Sequence, residues 1–158
     1  MDPRMQNPVM LVPGALPAAL ALGEALKRSA LPEATRAMLH LRTSQINGCS
    51  YCVDMAARDL RRLGETPERL AAVAAWRDAP WFTDEERAAL ALAEAATRLS
   101  DRSDPVPDAV WEAATCHLDE AAVAGVLLQV GLTTFWNHLN VPIRQGPAAA
   151  APAAAVAA

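Results

Sequence analysis

Apolar residues recur at intervals of three and four along almost the whole chain, and no long stretch alternates between apolar and polar positions. That spacing is typical of amphipathic helices rather than strands. Pro17 predicts the start of a first helix that runs to about Arg28, and Pro32 predicts the start of a second that runs to about Ser44. The hydrophobic pattern therefore predicts an all-α fold.

Further helix boundaries are marked by turn and capping residues. Asn47-Gly48 predicts a short turn into a third helix, which Gly64 is expected to end because glycine tolerates the left-handed conformation found there. Thr66 is a favourable N-cap for a fourth helix that runs to about Trp76.

The second half of the chain gives equally clear boundaries. Thr83 and Glu86 form a capping-box pattern at the start of a helix that runs to about Leu99. A helix over residues 108–117 follows, and Asp119 is the expected cap of a long last helix. We expect about six to seven helices in all.

The length of 158 residues suits one compact domain with a substantial core. We place this helical domain at residues 1–145. Residues 146–158 are rich in alanine and proline and have no amphipathic face to bury, so we expect them to form a disordered tail.

Charge and hydropathy narrow the range of partners. The formal net charge is −4 and the basic residues are scattered, so we expect no nucleic-acid partner. Prolines interrupt the apolar stretch 8–22, and the uncharged stretch 121–136 is shorter than the ~20 residues that span a bilayer, so we expect no membrane partner. Three cysteines are too few for the disulfide framework of a secreted protein, which favours the reducing cytoplasm.

Cys49 and Cys52 are the most chemically informative residues, because they form a C-x-x-C pair at the predicted start of the third helix. Such a pair can close a small disulfide, and the positive end of the helix stabilises a thiolate. Helical spacing puts both cysteines on one face with Ala56 and Leu60. A thiol in such apolar surroundings needs a neighbouring base to react with peroxide.

Zinc binding and a purely structural cysteine pair are the alternatives that the residues leave open. The remaining zinc ligands would be Cys116, His40, His117 and His138, but Cys116 and His117 are adjacent and the usual ligand spacings are missing. We expect no metal and no other cofactor. Cys116 by itself is expected to be a small core residue.

His40 is the candidate general base, because it lies on the second helix at a position that can reach the cysteine pair if the two helices pack together. Tyr51, between the two cysteines, is a candidate hydrogen-bond donor.

The segment from Ser44 to Met55 resembles the carboxymuconolactone decarboxylase-like superfamily, specifically its alkylhydroperoxidase D-like (AhpD-like) branch. The resemblance extends to residues 75–80, 82–84 and 136–137, and covers roughly residues 5–145. It implies an all-helical, AhpD-like domain that assembles into a homo-oligomer. It also implies thiol-dependent peroxidase or disulfide reductase activity without metal or haem.

In that branch the second cysteine is peroxidatic and the first is the resolving, proton-handling thiol, which implies these roles for Cys52 and Cys49. The helix dipole alone favours Cys49 as the reactive thiolate, because it is the cysteine nearer the helix end.

The family pattern also places a glutamate twelve residues before the first cysteine and a histidine four after the second. Ala37 and Ala56 occupy those positions here, and since neither moves a proton we expect weakened peroxidase activity.

The predicted function is therefore a thiol-dependent alkylhydroperoxidase, with a hydroperoxide as substrate and an external dithiol as reductant. The alternative is a redox sensor, or a module that binds an apolar ligand or a protein partner, with a reversible Cys49–Cys52 disulfide. Decarboxylation of an aromatic-derived lactone is a third and weaker hypothesis, because the sequence offers no polar constellation suited to it.

Overall fold

The computed structural model describes residues 2–147, and every regular element in that part of the chain is a helix. The all-α prediction is confirmed. The described elements are α1 (Pro8–Leu11), α2 (Ala15–Leu26), α3 (Glu33–Asn47), α4 (Ser50–Arg62), α5 (Pro67–Ala72) with a following 3₁₀ turn (Val73–Ala75), α6 (Asp84–Thr97), α7 (Asp108–His117) and α8 (Glu120–Asn140).

The N-terminal region differs from the sequence prediction. The short helix α1 was not predicted; the Asn7 side chain caps it by accepting from the Val9 N–H, and a proline occupies its first turn. Helix α2 begins at Ala15, before the predicted start at Pro17, because Gly14 turns the chain at a φ of +82° and proline is compatible with the first turn.

Most of the predicted tail lies outside the described residues, which end at residue 147. The boundary between the domain 1–145 and the tail 146–158 stays a prediction. Within residues 2–147, none of the helices is both long and apolar enough to cross a bilayer.

Helix α3 is the centre of the bundle and packs against α4, α6 and α8. Each fully buried leucine in this core contributes about 1.5–3 kcal/mol relative to an exposed one. The packing brings the C-terminal half of α8 next to the turn between α3 and α4, where the cysteine pair lies. The large buried side chains of the core include Leu39, Leu41, Leu60, Leu90, Leu92 and Val126.

A buried carboxylate ties the loop after the 3₁₀ turn to the bundle. Glu94 accepts hydrogen bonds from Arg42 and Trp76 and pairs with Arg77 at 2.6 Å. Burial opposes ionisation of Glu94, but the hydrogen bonds from Arg77, Trp76 and Arg42 outweigh it and lower the pKa of the carboxyl group. The ionised glutamate therefore stabilises the fold at neutral pH.

Glu94→Ala is expected to lower the free energy of unfolding by about 3 kcal/mol at pH 7, because it leaves the largely buried Arg42 without its partner. The folded-state pKa is lowered, so this contribution is complete above the ordinary value of 4.5 and is lost as the pH falls through the folded-state pKa. Urea unfolding at pH 7 and at lower pH measures it. Glu24→Ala is the control, since the Glu24–Lys27 pair is exposed; equal effects of the two substitutions would contradict the account.

Candidate functional site

Gly48 sets the sharp turn that places the cysteine pair. It follows α3 with a φ of +70°, and its N–H and that of Cys49 both donate to the Ser44 carbonyl. Cys49 is then the N-cap of α4, and its Sγ atom accepts from the Cys52 N–H at 3.4 Å. The prediction that the pair opens a helix is confirmed.

The two cysteines are in disulfide geometry. Their Sγ atoms lie at bonding distance and their Cα atoms are 5.4 Å apart, within the usual range for a disulfide. Cys49 and Cys52 are only 1% and 2% exposed, so the pair is screened from bulk solvent. This arrangement supports a redox role for the pair.

A cavity of about 740 Å³ distinguishes the two cysteines, because Cys52 lines it and Cys49 does not. The cavity lies between α1, α2, α3, α4 and α8. Much of its wall is apolar, so it offers a less polar environment than water around the Cys52 sulfur. The apolar lining residues include Leu16, Leu20, Leu26, Met55, Leu132 and Trp136.

His40 and Tyr51 line the same cavity as Cys52. Within the described residues, no hydrogen bond joins His40 to either cysteine sulfur. Burial lowers the pKa of His40, and the nearby Asp59 carboxylate opposes this only in part. The imidazole is therefore neutral at pH 7 and can accept a proton.

The two alanines at the family's proton-relay positions lie in different surroundings. Ala37 is half-buried on α3 and lines the cavity, so a longer side chain there has open space in front of it. Ala56 is fully buried in the core and is not part of the cavity wall. Neither alanine supplies an acid or a base to Cys52.

Asn140 contacts the Cys52 sulfur and was not predicted from the sequence. Its Nδ2 atom donates to Cys52 Sγ at 3.4 Å, and its Oδ1 atom accepts from Asn7 Nδ2 at 2.8 Å. Asn140 is 2% exposed and shares the buried face of α8 with Thr133 and Asn137. Polar residues at positions 133, 137 and 140, spaced four and three apart on a mostly apolar helix, are the sequence signal that could have indicated it.

A second buried amide braces the turn before Cys49. Asn137 donates to Ser44 Oγ at 3.2 Å and accepts from Asn47 at 2.9 Å, which ties α8 to the end of α3. These bonds satisfy an amide that would otherwise be expensive to bury, and they hold the turn in place.

The other candidate metal ligands lie apart from the pair. Cys116 is exposed on α7, so the expectation that it is a core residue is wrong; an alanine-rich helix does not reveal from sequence which face is buried. His117 and His138 are also exposed. In the part of the chain that the structure describes, no three histidine, cysteine or acidic side chains gather as a metal site would require.

Comparison with known proteins identifies the family to which this helical domain belongs. Residues 13–95 match the carboxymuconolactone decarboxylase family. The chain is 33% identical over 115 residues to YdfG, an uncharacterized protein of Bacillus subtilis, across 73% of this chain and 77% of YdfG. The chain belongs to the carboxymuconolactone decarboxylase family, as the resemblance predicted.

Two further comparisons agree. The uncharacterized protein YnjA of Escherichia coli is 36% identical over 114 residues, which span 72% of this chain and 61% of YnjA. A crystal structure from Agrobacterium tumefaciens superposes with a TM-score of 0.86 at 28% identity, covering 94% of this chain and all of that one. That protein is of unknown function and is described as a candidate antioxidant defence protein, AhpD. The AhpD-like fold is thereby confirmed.

Proposed function

We propose that the chain is a thiol-dependent peroxidase that reduces hydroperoxides at Cys52. The observation that supports this most is the asymmetry of the pair, since Cys52 lines the cavity and Cys49 lies behind it. A substrate that enters the cavity therefore meets the Cys52 sulfur first. The mostly apolar wall suits an organic hydroperoxide.

The proposed cycle has three steps. The Cys52 thiolate attacks the distal oxygen of ROOH, the O–O bond breaks, and the departing alkoxide takes a proton to become ROH. The Cys49 sulfur then attacks the resulting Cys52 sulfenic acid, which expels water and forms the disulfide. An external dithiol reduces that disulfide by thiol exchange and is itself oxidised to a disulfide.

His40 is proposed as the base, because it lines the same cavity as Cys52 and its neutral imidazole can accept a proton at pH 7. It would take the thiol proton and return one to the alkoxide, directly or through water. The missing hydrogen bond between His40 and the sulfur is consistent with an activity weaker than that of a complete proton relay.

His40→Ala is expected to lower hydroperoxide consumption about a hundredfold at pH 7, the lower end of the range for general base assistance. In the unsubstituted chain the rate should already be high near pH 6.5, because burial lowers the pKa of His40 below that value. In the variant the rate should instead follow ionisation of the thiol. Cumene hydroperoxide consumption with dithiothreitol, followed over pH, measures both.

The control is His138→Ala, since His138 is exposed and its ring contacts the Thr134 carbonyl away from the cavity. Equal rates for the chain, His40→Ala and His138→Ala would remove His40 from the mechanism. Consumption no faster than the dithiothreitol background, with the unsubstituted chain, would contradict peroxidase function itself.

The homo-oligomer, the dithiol reductant and the cytoplasmic location remain predictions. Exposed apolar side chains on α8, at Leu127, Leu128 and Phe135, support assembly because a monomer would leave them in water. Light scattering in solution tests the assembly.

A second function, a reversible disulfide switch without peroxidase activity, is favoured by the alanines at positions 37 and 56. In that case oxidant should remove two thiols together from the reduced chain while peroxide turnover stays at background.

A further inference from the structure

Three consecutive hydrogen bonds connect the N-terminal segment to the reactive sulfur. The Val9 N–H donates to Asn7 Oδ1 at 3.2 Å, Asn7 Nδ2 donates to Asn140 Oδ1 at 2.8 Å, and Asn140 Nδ2 donates to Cys52 Sγ at 3.4 Å. The residues come from α1, the end of α8 and the first turn of α4. None of the three steps of the proposed cycle involves the amides of Asn7 and Asn140.

The direction of each bond is fixed by the first one. A backbone N–H can only donate, so Val9 requires that Asn7 turn its oxygen toward α1. Asn7 then has its NH₂ group free to face Asn140, and Asn140 must accept with its own oxygen. Its NH₂ group consequently points at the Cys52 sulfur, so the capping of α1 determines which end of the Asn140 amide the sulfur meets.

We propose that Asn140 is a catalytic residue that stabilises the Cys52 thiolate by hydrogen-bond donation, and that Asn7 is the positioning residue that fixes its amide. The catalytic meaning rests on the proposed peroxidase function, whereas the effect on the thiol does not. Donation to a charged sulfur favours the thiolate and lowers the thiol pKa. The bond to the disulfide sulfur is long, and it strengthens when reduction leaves a negative charge to accept it.

A reactive thiol needs its negative charge stabilised and its proton moved, and Ala37 and Ala56 do neither. Asn140 meets the first of these needs. An amide holds negative charge on the sulfur but moves no proton, so Asn140 complements His40 and does not replace it. The site is buried, where a satisfied hydrogen bond to a charge is stronger than in water.

Other ionisable groups also face the cavity and contribute to the thiol pKa, so the test compares variants in which they are unchanged. Tyr51 lies beside Cys52 on α4. The charged or titratable groups on the remaining walls are Lys27, Glu33, Arg36, His40, Asp59 and Arg62.

The test uses the full chain with Cys49→Ser and Cys116→Ser, which leaves Cys52 as its only thiol. Thiolate absorbance near 240 nm and the rate of iodoacetamide alkylation, both followed over pH, give the Cys52 pKa. Asn140→Ala should raise that pKa by about one unit or more, and should lower the alkylation rate at neutral pH about tenfold.

Asn7→Asp tests the positioning role of Asn7. Aspartate caps α1 as well as asparagine does, so the fold is retained, but it can only accept toward Asn140. Asn140 should then turn its NH₂ group to the new carboxylate and its oxygen to the sulfur. The turned amide and the added negative charge act in the same direction, so the Cys52 pKa should rise at least as far as in Asn140→Ala, with an unchanged urea midpoint.

Asn137→Ala is the matched control, because it removes another buried α8 amide that does not touch the sulfur, and it should move the Cys52 pKa much less. An unchanged pKa in Asn140→Ala would overturn the role of Asn140. A shift in Asn140→Ala without one in Asn7→Asp would overturn the positioning role of Asn7. Shifts in both, with peroxide consumption at background in the chain that keeps all three cysteines, would confirm the effect of Asn140 and Asn7 on the thiol and contradict the proposed function.

Discussion

Cys52→Ser is expected to reduce dithiol-dependent hydroperoxide consumption to background, a loss of about a thousandfold or more. No other cysteine substitution should abolish the first oxidation step. Serine at this position has no thiolate, and Cys49 does not line the cavity that would admit the peroxide. Steady-state consumption of cumene hydroperoxide with dithiothreitol measures the loss.

Cys49→Ser should behave differently. The Cys52 thiolate remains, so one equivalent of peroxide should still be consumed rapidly, but the sulfenic acid then has no internal partner and turnover should slow. Cys116→Ser should retain full activity, because Cys116 is exposed on α7. Rapid consumption of one equivalent by Cys52→Ser would reverse the roles of the two cysteines, as the helix-dipole argument favoured.

Ala37→Glu is expected to raise peroxidase turnover about tenfold or more. The new carboxylate would extend into the cavity that Cys52 lines and would supply a second proton acceptor there beside His40. Ala37→Gln is the control, since it has the same size and hydrogen-bonding reach without the ability to take up a proton. An equal gain from both variants, or none from Ala37→Glu, would contradict the expectation that a carboxylate at position 37 acts as a proton acceptor.

Ala56→His should not give a similar gain. Ala56 is fully buried in the core, and a larger side chain there should destabilise the fold by about 1–3 kcal/mol through overpacking. A proton-relay side chain can therefore be introduced at position 37, whereas at position 56 it would require repacking of the core. This difference was invisible in the sequence, where both positions are simply alanine.

Local signals made most of the fold predictable. The capping box of Thr83 and Glu86 is present as expected, and the glycines at 48 and 64 adopt the left-handed conformation that ends a helix. The cysteine pair could also be placed, since a turn followed by a C-x-x-C at helical spacing is a local pattern. The exception was α1, whose single turn is too short to show a hydrophobic period.

The surroundings of the pair could not be predicted in the same way, because they depend on contacts between distant segments. Asn140 lies 88 residues from Cys52, and Asn7 lies 133 residues from Asn140. No spacing rule connects such positions; only the packing of α8 against α3 and α4 brings them together. For the same reason the sequence showed that His40 was available but not that it would share the cavity with Cys52 and make no bond to its sulfur.

If Cys52 is the sulfur that peroxide oxidises, its sulfenic acid can be trapped chemically. Reduced chain with Cys49→Ser is treated with one equivalent of cumene hydroperoxide in the presence of dimedone, and the modified residue is located by peptide mass spectrometry. We expect a dimedone adduct on Cys52, and no adduct on Cys49 in the chain with Cys52→Ser. An adduct on Cys49, or none on either cysteine, would contradict this expectation.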